Sequence, residues 1–332
     1  MVTWLPLSDA QNRTSTDARQ YYDVLRIAEA KLAEYPGWLF WKNYPNDREY
    51  LVHALDRTGR GTTRGARSKE TEDFYASFKA DQDEAKHRVK LAREKVAEFS
   101  RFCKAARINR FPRAAANVVR SFANAGLQKN FLVAGTHALY AYEAIADVQF
   151  LAQILETADL DLLWDAEEPL EIVLKGEKSS SNPEDGALGI LKGLDKTYTR
   201  NEERTFQAIN ANGFVVDFLR PLQPSEPPLI GKDDRLNPIA IKGLDWLLEG
   251  AMEVVAIDVD GIGINLRVPD PRVFAAHKLW LSQRPDRKPG KRDRDASQAA
   301  ALAQLLRERA PVLPALPAVE GLSRQFSLLG LA

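Results

Sequence analysis

Cysteine is nearly absent from this sequence of 332 residues, since Cys103 is the single one. An internal disulfide is therefore excluded, and so is a zinc site built on thiolates. The four histidines, His53, His87, His137 and His277, show no ligand spacing with one another. No apolar run approaches the roughly 18 residues that a membrane-spanning helix needs, and the N-terminal segment lacks the pattern of a signal peptide. We therefore expect a cytoplasmic protein in a reducing compartment, without a membrane partner.

An excess of charge of one sign is also missing, because 46 lysines and arginines balance 46 aspartates and glutamates. This balance argues against a uniformly basic nucleic-acid coat and against a polyacidic tail, but it leaves room for local patches. Hydrophobic residues make up 45% and aromatic residues 9%, which is close to the globular average and excludes disordered and collagen-like chains. At roughly 100 to 200 residues per domain, the length predicts about two domains.

Residues 1–125 are predicted to form an N-terminal helical region. From residue 16 onward, apolar residues recur at helical spacing and charged residues occupy the other face. The breaker pair Pro36-Gly37 ends one helix, and Ser68 is a simple N-cap candidate for the longest one. Between these helices lies an aromatic cluster, for which we favour core packing over stacking on a base; it consists of Trp38, Phe40, Trp41, Tyr44 and Tyr50.

Three glycines and four arginines occur within residues 56–67, from Arg57 to Arg67. Glycine lets the backbone approach an anion and arginine supplies forked donors, so a phosphate-contacting loop is one interpretation. A flexible, solvated loop is the other.

From about residue 130 the pattern changes to strands mixed with helices. Strands are predicted at 130–134, 160–164 and 170–174. Two hairpins are predicted to turn near Asn212-Gly213 and Asp260-Gly261. Asp270 is predicted to cap a helix that has Pro271 at its first position, and a last helix is predicted at about 294–309.

Three carboxylates occur in an otherwise apolar strand context. Asp159 and Asp161 are two residues apart, so on an extended strand both point to the same face. Asp217 lies inside a second strand whose other residues are all hydrophobic. Burying a lone carboxylate there would cost several kcal/mol unless something positive neutralises it. A divalent metal such as Mg²⁺, which prefers oxygen ligands, is the economical solution. For any one of these residues, a strand-end cap or a salt-bridge partner is the alternative.

Gly135 and Thr136 stand between the strand at 130–134 and a helix. Such a turn is suited to an anion, because the glycine admits close approach, the hydroxyl donates and the helix start presents free N–H groups. Taken alone, a Gly-Thr pair before a helix is more often just a cap.

A strand, a Gly-Ser or close variant opening a helix, Asp-x-Asp on the next strand and a further Asp on a later strand form the pattern of the polymerase-β-like nucleotidyltransferase superfamily. The present chain resembles it through Gly135-Thr136, Asp159-Leu160-Asp161 and Asp217. The segments 133–143 and 157–165 are similar to a bacterial subfamily of predicted nucleotidyltransferases, and the resemblance extends over roughly residues 45–310. Thr136 stands where the superfamily most often has serine. Threonine retains the hydroxyl group of that serine.

The resemblance implies a role for each of these residues. Asp159 and Asp161 would bind two Mg²⁺ ions, with Mn²⁺ as a substitute, and Asp217 would hold the ion that activates the acceptor hydroxyl and would take its proton. The turn at Gly135 would hold the β- and γ-phosphates of an NTP, ATP being one candidate. The hydroxyl would attack the α-phosphorus, and pyrophosphate would leave.

Two basic residues are further candidates for contacts with the nucleotide. Lys278 lies in an otherwise apolar helix, where it either reaches a phosphate or extends to solvent. Arg294 belongs to a basic segment, 284–295, that is either a solvated loop or a contact for triphosphate or nucleic acid.

These observations predict an α+β fold with a small mixed sheet. The N-terminal helical region spans 1–125, a nucleotidyltransferase catalytic core spans 126–235, and a C-terminal strand pair with helical support spans 236–332. The predicted activity is Mg²⁺-dependent transfer of a nucleoside monophosphate from an NTP to a hydroxyl on an RNA end, a protein or a small molecule.

Two other functions remain open from the sequence. One is a catalytically silent protein of the same fold that binds RNA or a toxin or antitoxin partner, although the presence of all three aspartates speaks against it. The other is a metal-dependent phosphohydrolase or nuclease, which would more naturally carry histidine ligands.

Overall fold

The computed structural model of the chain describes residues 2–45, 48–55, 61–165, 186–222, 236–309 and 311–331. The strand predicted at 170–174 lies outside the described residues, as do Arg57 and Arg60 of the Gly- and Arg-rich segment. The architecture is α+β, as predicted, with several small sheets.

The helices and strands are numbered in chain order. The helices are α1 (Asp9–Ala33), α2 (Lys69–Ala105), α3 (Arg113–Asn124), α4 (Leu139–Ala146), α5 (Ala152–Leu155), α6 (Gly186–Leu194), α7 (Pro271–Ser282), α8 (Pro289–Arg309) and α9 (Ser323–Leu329). The strands are β1 (Trp4–Pro6), β2 (Trp38–Tyr44), β3 (Arg48–Ala54), β4 (Gly61–Ala66), β5 (Phe131–Val133), β6 (Val148–Phe150), β7 (Asp159–Trp164), β8 (Thr199–Arg200), β9 (Gln207–Ile209), β10 (Val215–Pro221), β11 (Ile239–Ile241), β12 (Met252–Ile257) and β13 (Gly263–Val268). Short 3₁₀ helices occupy Gly135–Ala138, Asp245–Leu248 and Glu320–Leu322.

The chain divides into two compact units. One unit comprises Met1–Asn12 together with Ile108–Ala332, and the other comprises Arg13–Arg107. The three aspartates, Lys278 and Arg294 all belong to the first of these units, whereas the aromatic cluster belongs to the second.

The unit Arg13–Arg107 contains a three-stranded antiparallel sheet where the helical pattern of 16–125 predicts helix. Strands β2, β3 and β4 pair in that order, with Phe40 opposite Val52. Aromatic and β-branched residues, which favour a pleated surface, outweigh the helical spacing in this segment. The prediction of helix is therefore wrong for Trp38–Tyr44 and Arg48–Ala54, and Gly61–Ala66, predicted as part of a loop, forms a strand.

The long helix α2 begins as predicted at Ser68. The Ser68 hydroxyl accepts a hydrogen bond from the Thr71 backbone N–H, and the Thr71 hydroxyl accepts one from the Ser68 backbone N–H. A full capping box is thus present, because a threonine hydroxyl replaces the carboxylate or amide that usually closes it.

A mixed sheet forms the centre of the other unit. Its strand order is β5-β7-β10-β9-β8, and β11 pairs with the C-terminal end of β10. Strands β7 and β10 are parallel, whereas β5 and β9 run antiparallel to their neighbours. The predicted hairpin formed by β9 and β10 is confirmed, and so is the one formed by β12 and β13.

Alternation along β7 and β10 gives the sheet two different faces. On one face Leu160, Leu162 and Phe218 are buried in a core that includes Phe122 of α3. On the other face Leu163 and Leu219 pack in a second core with Val273 of α7. Because the aspartates share the second face with these leucines, the site lies on the side of the sheet that α7 covers.

Helix α7 begins as predicted, since the Asp270 side chain accepts a hydrogen bond from the Arg272 backbone N–H and Pro271 occupies the first turn. The next helix, α8, begins at Pro289 rather than near residue 294. Proline is well suited to a first helical turn, because the N–H that it lacks would have no partner there. Arg294 therefore lies within a helix and not in a loop.

Candidate metal site

Parallel pairing of β7 with β10 brings the three aspartates together. Asp161 pairs directly with Asp217, and Asp159 lies two residues before Asp161 on the same face. One carboxylate oxygen from each of the three residues lies within 4.8 Å of the others. The predicted grouping therefore follows from strand register.

Burial, together with the neighbouring negative charges, raises the proton affinity of Asp161 and Asp217. Burial, followed by the charges of Asp159 and Asp217, raises the pKa of Asp161 to about 7. Burial also raises the pKa of Asp217 to about 6, although a hydrogen bond from Gln207 opposes this effect. Near neutral pH the group therefore gains from any cation that binds it.

The backbone of Gly135 runs directly against Asp161. Gly135 has φ +58°, and a Cβ atom at this position would lie 1.8 Å from Asp161 Oδ2. The Ala134 backbone N–H donates to the Asp161 carbonyl at 3.0 Å. Only glycine satisfies both the left-handed backbone and this close approach, which accounts for the glycine at the predicted turn.

Neutral side chains orient two of the carboxylates. The Thr157 hydroxyl donates to Asp159 Oδ1. Gln207 Nε2 donates to Asp217 Oδ1 at 2.8 Å, and both side chains are buried. These donors hold the carboxylates in place and leave oxygen lone pairs for a further ligand.

Thr136 is 3% exposed, and its hydroxyl forms a hydrogen bond with a residue that is distant in the sequence. Its Oγ1 accepts a hydrogen bond from Gln298 Nε2 of α8 at 3.1 Å, and the same Nε2 donates to the Ile154 carbonyl at 2.9 Å. Because Gln298 is the donor, the proton of the Thr136 hydroxyl remains free to bind an acceptor.

Lys278 lies in a buried ion-pair network on the helical side of the site. Its Nζ donates to Asp295 Oδ1 at 2.8 Å, and Arg287 binds the other oxygen of Asp295, at 2.9 Å for Nε. Lys278 is 6% exposed and Asp295 is 0% exposed, so the lysine does not extend into solvent. Burial lowers the pKa of Lys278, while Asp295 and the charge of Asp161 raise it.

Arg294 lies one turn into α8 and is partly exposed. Its Nη1 donates to the Glu156 carbonyl at 3.3 Å. This contact places its guanidinium beside the segment that leads into β7, close to the aspartates.

The aspartates and these basic residues surround one cavity of about 270 Å³. Its polar lining consists of Gly135, Thr136, Thr157, Asp159, Asp161, Arg204, Gln207, Asp217, His277, Lys278, Arg287, Lys291 and Arg294. Every predicted site residue is therefore found at the same cavity, with carboxylates from the sheet and cations mainly from α7 and α8.

Neither histidine near the site has a charge to contribute. Burial lowers the pKa of His137 to about 4, and its ring packs against Phe111 with centroids 5.7 Å apart. Burial and the neighbouring Lys278 lower the pKa of His277 to about 3, and its ring stacks on Trp280. Both rings are buried and packed against aromatic side chains, and the lowered pKa values favour their neutral forms near neutral pH.

Sequence reasoning did not single out several residues of this site. Asp295 and Gln298 lie more than 130 residues after β7, and only the docking of α8 brings them close to it. A signal for them does exist in the sequence, since Asp295 and Gln298 stand at helical spacing with apolar residues of α8 such as Leu302. Arg204 and Gln207 reach the cavity through the β9 hairpin.

The residues fit a divalent cation with oxygen ligands. Three carboxylate oxygens converge, and among the described residues no lysine or arginine lies within ion-pair distance of them. Burial is the main cause of the raised pKa values of Asp161 and Asp217, and a bound cation would favour their charged forms. Hard cations such as Mg²⁺ favour this donor set.

Comparison with known proteins gives one match. The model of a family described as Nucleotidyltransferase matches residues 113–316, which is more than half of the chain. The match begins at residue 113, so the resemblance over 45–112 stays a prediction. Neither a curated protein nor a solved structure matches. Within the described ranges, no helix has both the length and the apolar character that a membrane span requires.

Proposed function

Since the chain belongs to the nucleotidyltransferase family, we propose that it transfers a nucleoside monophosphate from an NTP to a hydroxyl acceptor with Mg²⁺ as its cofactor. The observation that carries this proposal is the grouping of Asp159, Asp161 and Asp217 at one cavity. Within the family, the order of Gly135-Thr136 and the aspartates supports a place in the polymerase-β-like superfamily and its bacterial subfamily.

Asp159, Asp161 and Asp217 would hold the metal, as two Mg²⁺ ions or Mn²⁺ in their place. When bound, the metal supplies positive charge that neutralises the phosphates of the NTP and the charge developing on them. The chain itself contributes the fixed positions of the three carboxylates, which the paired strands set before any ligand binds.

Four further residues of the same cavity would bind the triphosphate. Gly135 lets the backbone approach a phosphate, and the free proton of the Thr136 hydroxyl donates to a phosphate oxygen. Lys278 and Arg294 add positive charge from α7 and α8. Lys278 is held by Asp295, so little conformational entropy is lost when it meets a phosphate.

In the reaction the acceptor oxygen forms a bond to the α-phosphorus, and the bond from that phosphorus to the bridging oxygen of the β-phosphate breaks. Pyrophosphate carries away the electron pair of the broken bond. Asp217, which pairs with Asp161 on the neighbouring strand, would take the proton of the acceptor hydroxyl. Positioning and charge neutralisation account for this chemistry, without a covalent intermediate on the protein.

The domain assignment is part of the same proposal. Residues 126–235 would form the catalytic core, 236–332 the support that contributes Lys278 and Arg294, and 1–125 an N-terminal region with its own role. The acceptor would be an RNA end, a protein or a small molecule in the cytoplasm.

Transfer from α-labelled NTPs tests the proposal. Each of the four NTPs is incubated with the protein, Mg²⁺ and a cell extract, and label in RNA, protein and small-molecule fractions is measured. We expect label in one fraction, and its loss with EDTA and in the Asp159→Ala plus Asp161→Ala variant.

Asp245→Asn serves as the matched control, because Asp245 is an exposed carboxylate of the same unit and does not line the cavity. It should label as the unmodified protein does. Equal labelling by the double variant would refute the proposal. Thermal stabilisation by NTP that does not need Mg²⁺ would instead indicate a binding protein without turnover.

A further inference from the structure

The three-stranded sheet of the unit Arg13–Arg107 has two faces with different surroundings. On one face, Trp41 packs on Tyr75 of α2 with ring centroids 6.0 Å apart, and His53 packs on Phe78 at 5.5 Å. Side chains alternate along each strand, so the neighbours of Trp41 and His53 lie on the opposite face. We call this opposite side the outer face, and its large side chains are Trp38, Phe40, Lys42, Tyr44, Arg48 and Tyr50.

The structure therefore divides the aromatic cluster into two parts. Trp41 alone packs against α2, in agreement with the core packing favoured from the sequence. Trp38 and Tyr44 on the outer face are 39% and 40% exposed, and Phe40 and Tyr50 are partly exposed. Although Val52 and Ala54 of the same face are buried, several neighbouring rings that remain partly exposed indicate a binding surface.

Rings and cations alternate across the outer face. Lys42 pairs with Tyr50, and Arg48 pairs with Tyr44 on the neighbouring strand. Lys42 Nζ lies 5.2 Å from the centroid of the Tyr44 ring, and the Tyr44 and Tyr50 rings meet edge to face at 5.3 Å. Tyr44 and Tyr50 thus each have a positively charged residue beside them.

No described residue on the outer face is acidic. The carboxylate in these strands, Glu49, lies on the opposite face, where Arg67 binds it. Arg64 also leaves the outer face, since its Nη2 lies 3.1 Å from His53 Nδ1. The described charge of the outer face is therefore that of Lys42 and Arg48, which complements an anion.

We propose that the outer face binds single-stranded nucleic acid. Its rings stack on unpaired bases, and Lys42 and Arg48 contact the phosphates on either side. Aromatic rings interleaved with cations suit a single strand, because every base has a face on which a ring can stack and every nucleotide carries a phosphate. A duplex suits it less, since paired bases already stack on one another. The inference goes beyond nucleotide transfer and does not depend on it.

Fluorescence anisotropy of the full chain tests the inference. The probes are a labelled, unstructured single-stranded RNA, the DNA of the same sequence, and the matching duplex, at about 50 mM and about 200 mM salt. We expect the single strands to bind more tightly than the duplex, and the affinity to fall with salt.

Lys42→Glu plus Arg48→Glu tests the cations. We expect at least about tenfold weaker binding, and a salt dependence whose slope falls by about 1.4, or about 0.7 for each phosphate of a single strand that a cation no longer neutralises. The matched control is Lys90→Glu plus Arg101→Glu, which makes the same charge change at exposed positions of α2. This control should bind as the unmodified chain does.

Tyr44→Ala tests stacking and should weaken binding at least about fivefold, as loss of one stacked base does. Tyr44→Phe keeps the ring and should restore the affinity, which separates stacking from loss of the fold. The inference is overturned by any of three results: neither single strand binds, the duplex binds equally well, or the α2 control loses as much affinity as the outer-face variant. NTP-dependent stabilisation, measured on the same variants, reports separately on the cavity.

Discussion

The two sides of the cavity differ in whether their charged side chains form ion pairs. On the sheet, Asp159, Asp161 and Asp217 lie together with neutral hydrogen-bond donors, and the described residues provide no ion pair for them. On the helices, Lys278 and Arg287 share the carboxylate of Asp295, which neutralises part of their charge.

This difference indicates which side needs a ligand to complete it. Unpaired, grouped carboxylates are stable only if protons or cations bind them, and the raised pKa values of Asp161 and Asp217 reflect this need. On the basic side, Lys278 and Arg287 already have a carboxylate partner in Asp295. Under the proposed function, the basic side would receive the triphosphate and the acidic side would hold the metal.

Replacing one of the three grouped aspartates should have the largest effect on nucleotide transfer. Asp161→Asn removes a carboxylate proposed to bind the metal, and we expect nucleotide transfer to fall by at least about 10²-fold, the range for loss of one electrostatic stabiliser of a transition state. Radiolabel transfer at saturating Mg²⁺ is the measurement. A decrease of less than about threefold would contradict the role given to Asp161.

Gly135→Ala should damage the same side through sterics. The added Cβ would meet Asp161 Oδ2 at 1.8 Å, and the left-handed backbone adds about 1–2 kcal/mol. We expect loss of Mg²⁺-dependent NTP binding, measured by calorimetry. Gly193→Ala is the matched control, because a Cβ there meets nothing within 4 Å; normal binding by both variants would argue against the close approach.

Loss of the ion pairs on the basic side should mainly lower the stability of the folded protein. Asp295→Asn leaves Lys278 and Arg287 with an uncharged partner, a change that costs about 3–5 kcal/mol for a buried pair. We expect a lower free energy of unfolding and a higher KM for the NTP. The control is Asp286→Asn, at an exposed pair with Arg284 that should contribute little. Equal stability of the two variants would show that the network does not act as described.

The acidic side should also make stability depend on pH. In the folded state the pKa of Asp161 is raised to about 7, so the native protein binds this proton more tightly than the unfolded chain does. Its contribution is therefore most favourable below the ordinary aspartate pKa of about 4, and it decreases as pH rises from about 4 to about 7.

Urea unfolding in EDTA from pH 4 to pH 8 measures this effect as the difference between the unmodified protein and Asp161→Asn. We expect a change on the order of a few kcal/mol across that window, and Mg²⁺ should oppose it above pH 7. A difference that is constant with pH would rule out the raised pKa.

The smallest effect expected is at Thr136. Thr136→Val keeps the shape and removes the hydroxyl, so NTP affinity should fall by about tenfold, as expected for one hydrogen bond to a charged group. Thr136→Ser retains the donor and should bind normally. If valine binds as well as serine, the hydroxyl does not contact the phosphates.

Much of the site could be predicted because it depends on short-range geometry. Two aspartates at i and i+2 share a face of any strand, and a glycine between a strand and a helix marks a close approach. Asp295 and Gln298 could not be found this way, since no local pattern states that α8 packs beside β7. The sheet formed by β2, β3 and β4 was also missed, because helical spacing and strand alternation compete in a short aromatic segment.

The sequence by itself therefore determined which residue types form the candidate site: three carboxylates on two strands, a glycine turn, and the basic residues Lys278 and Arg294. The tertiary structure decided which charges meet. Register between β7 and β10 placed Asp161 beside Asp217, and docking of α7 and α8 paired Lys278 with Asp295. Local patterns specify which way a side chain faces along its own strand or helix, whereas distances between charges depend on how separate elements pack, and packing involves the whole chain.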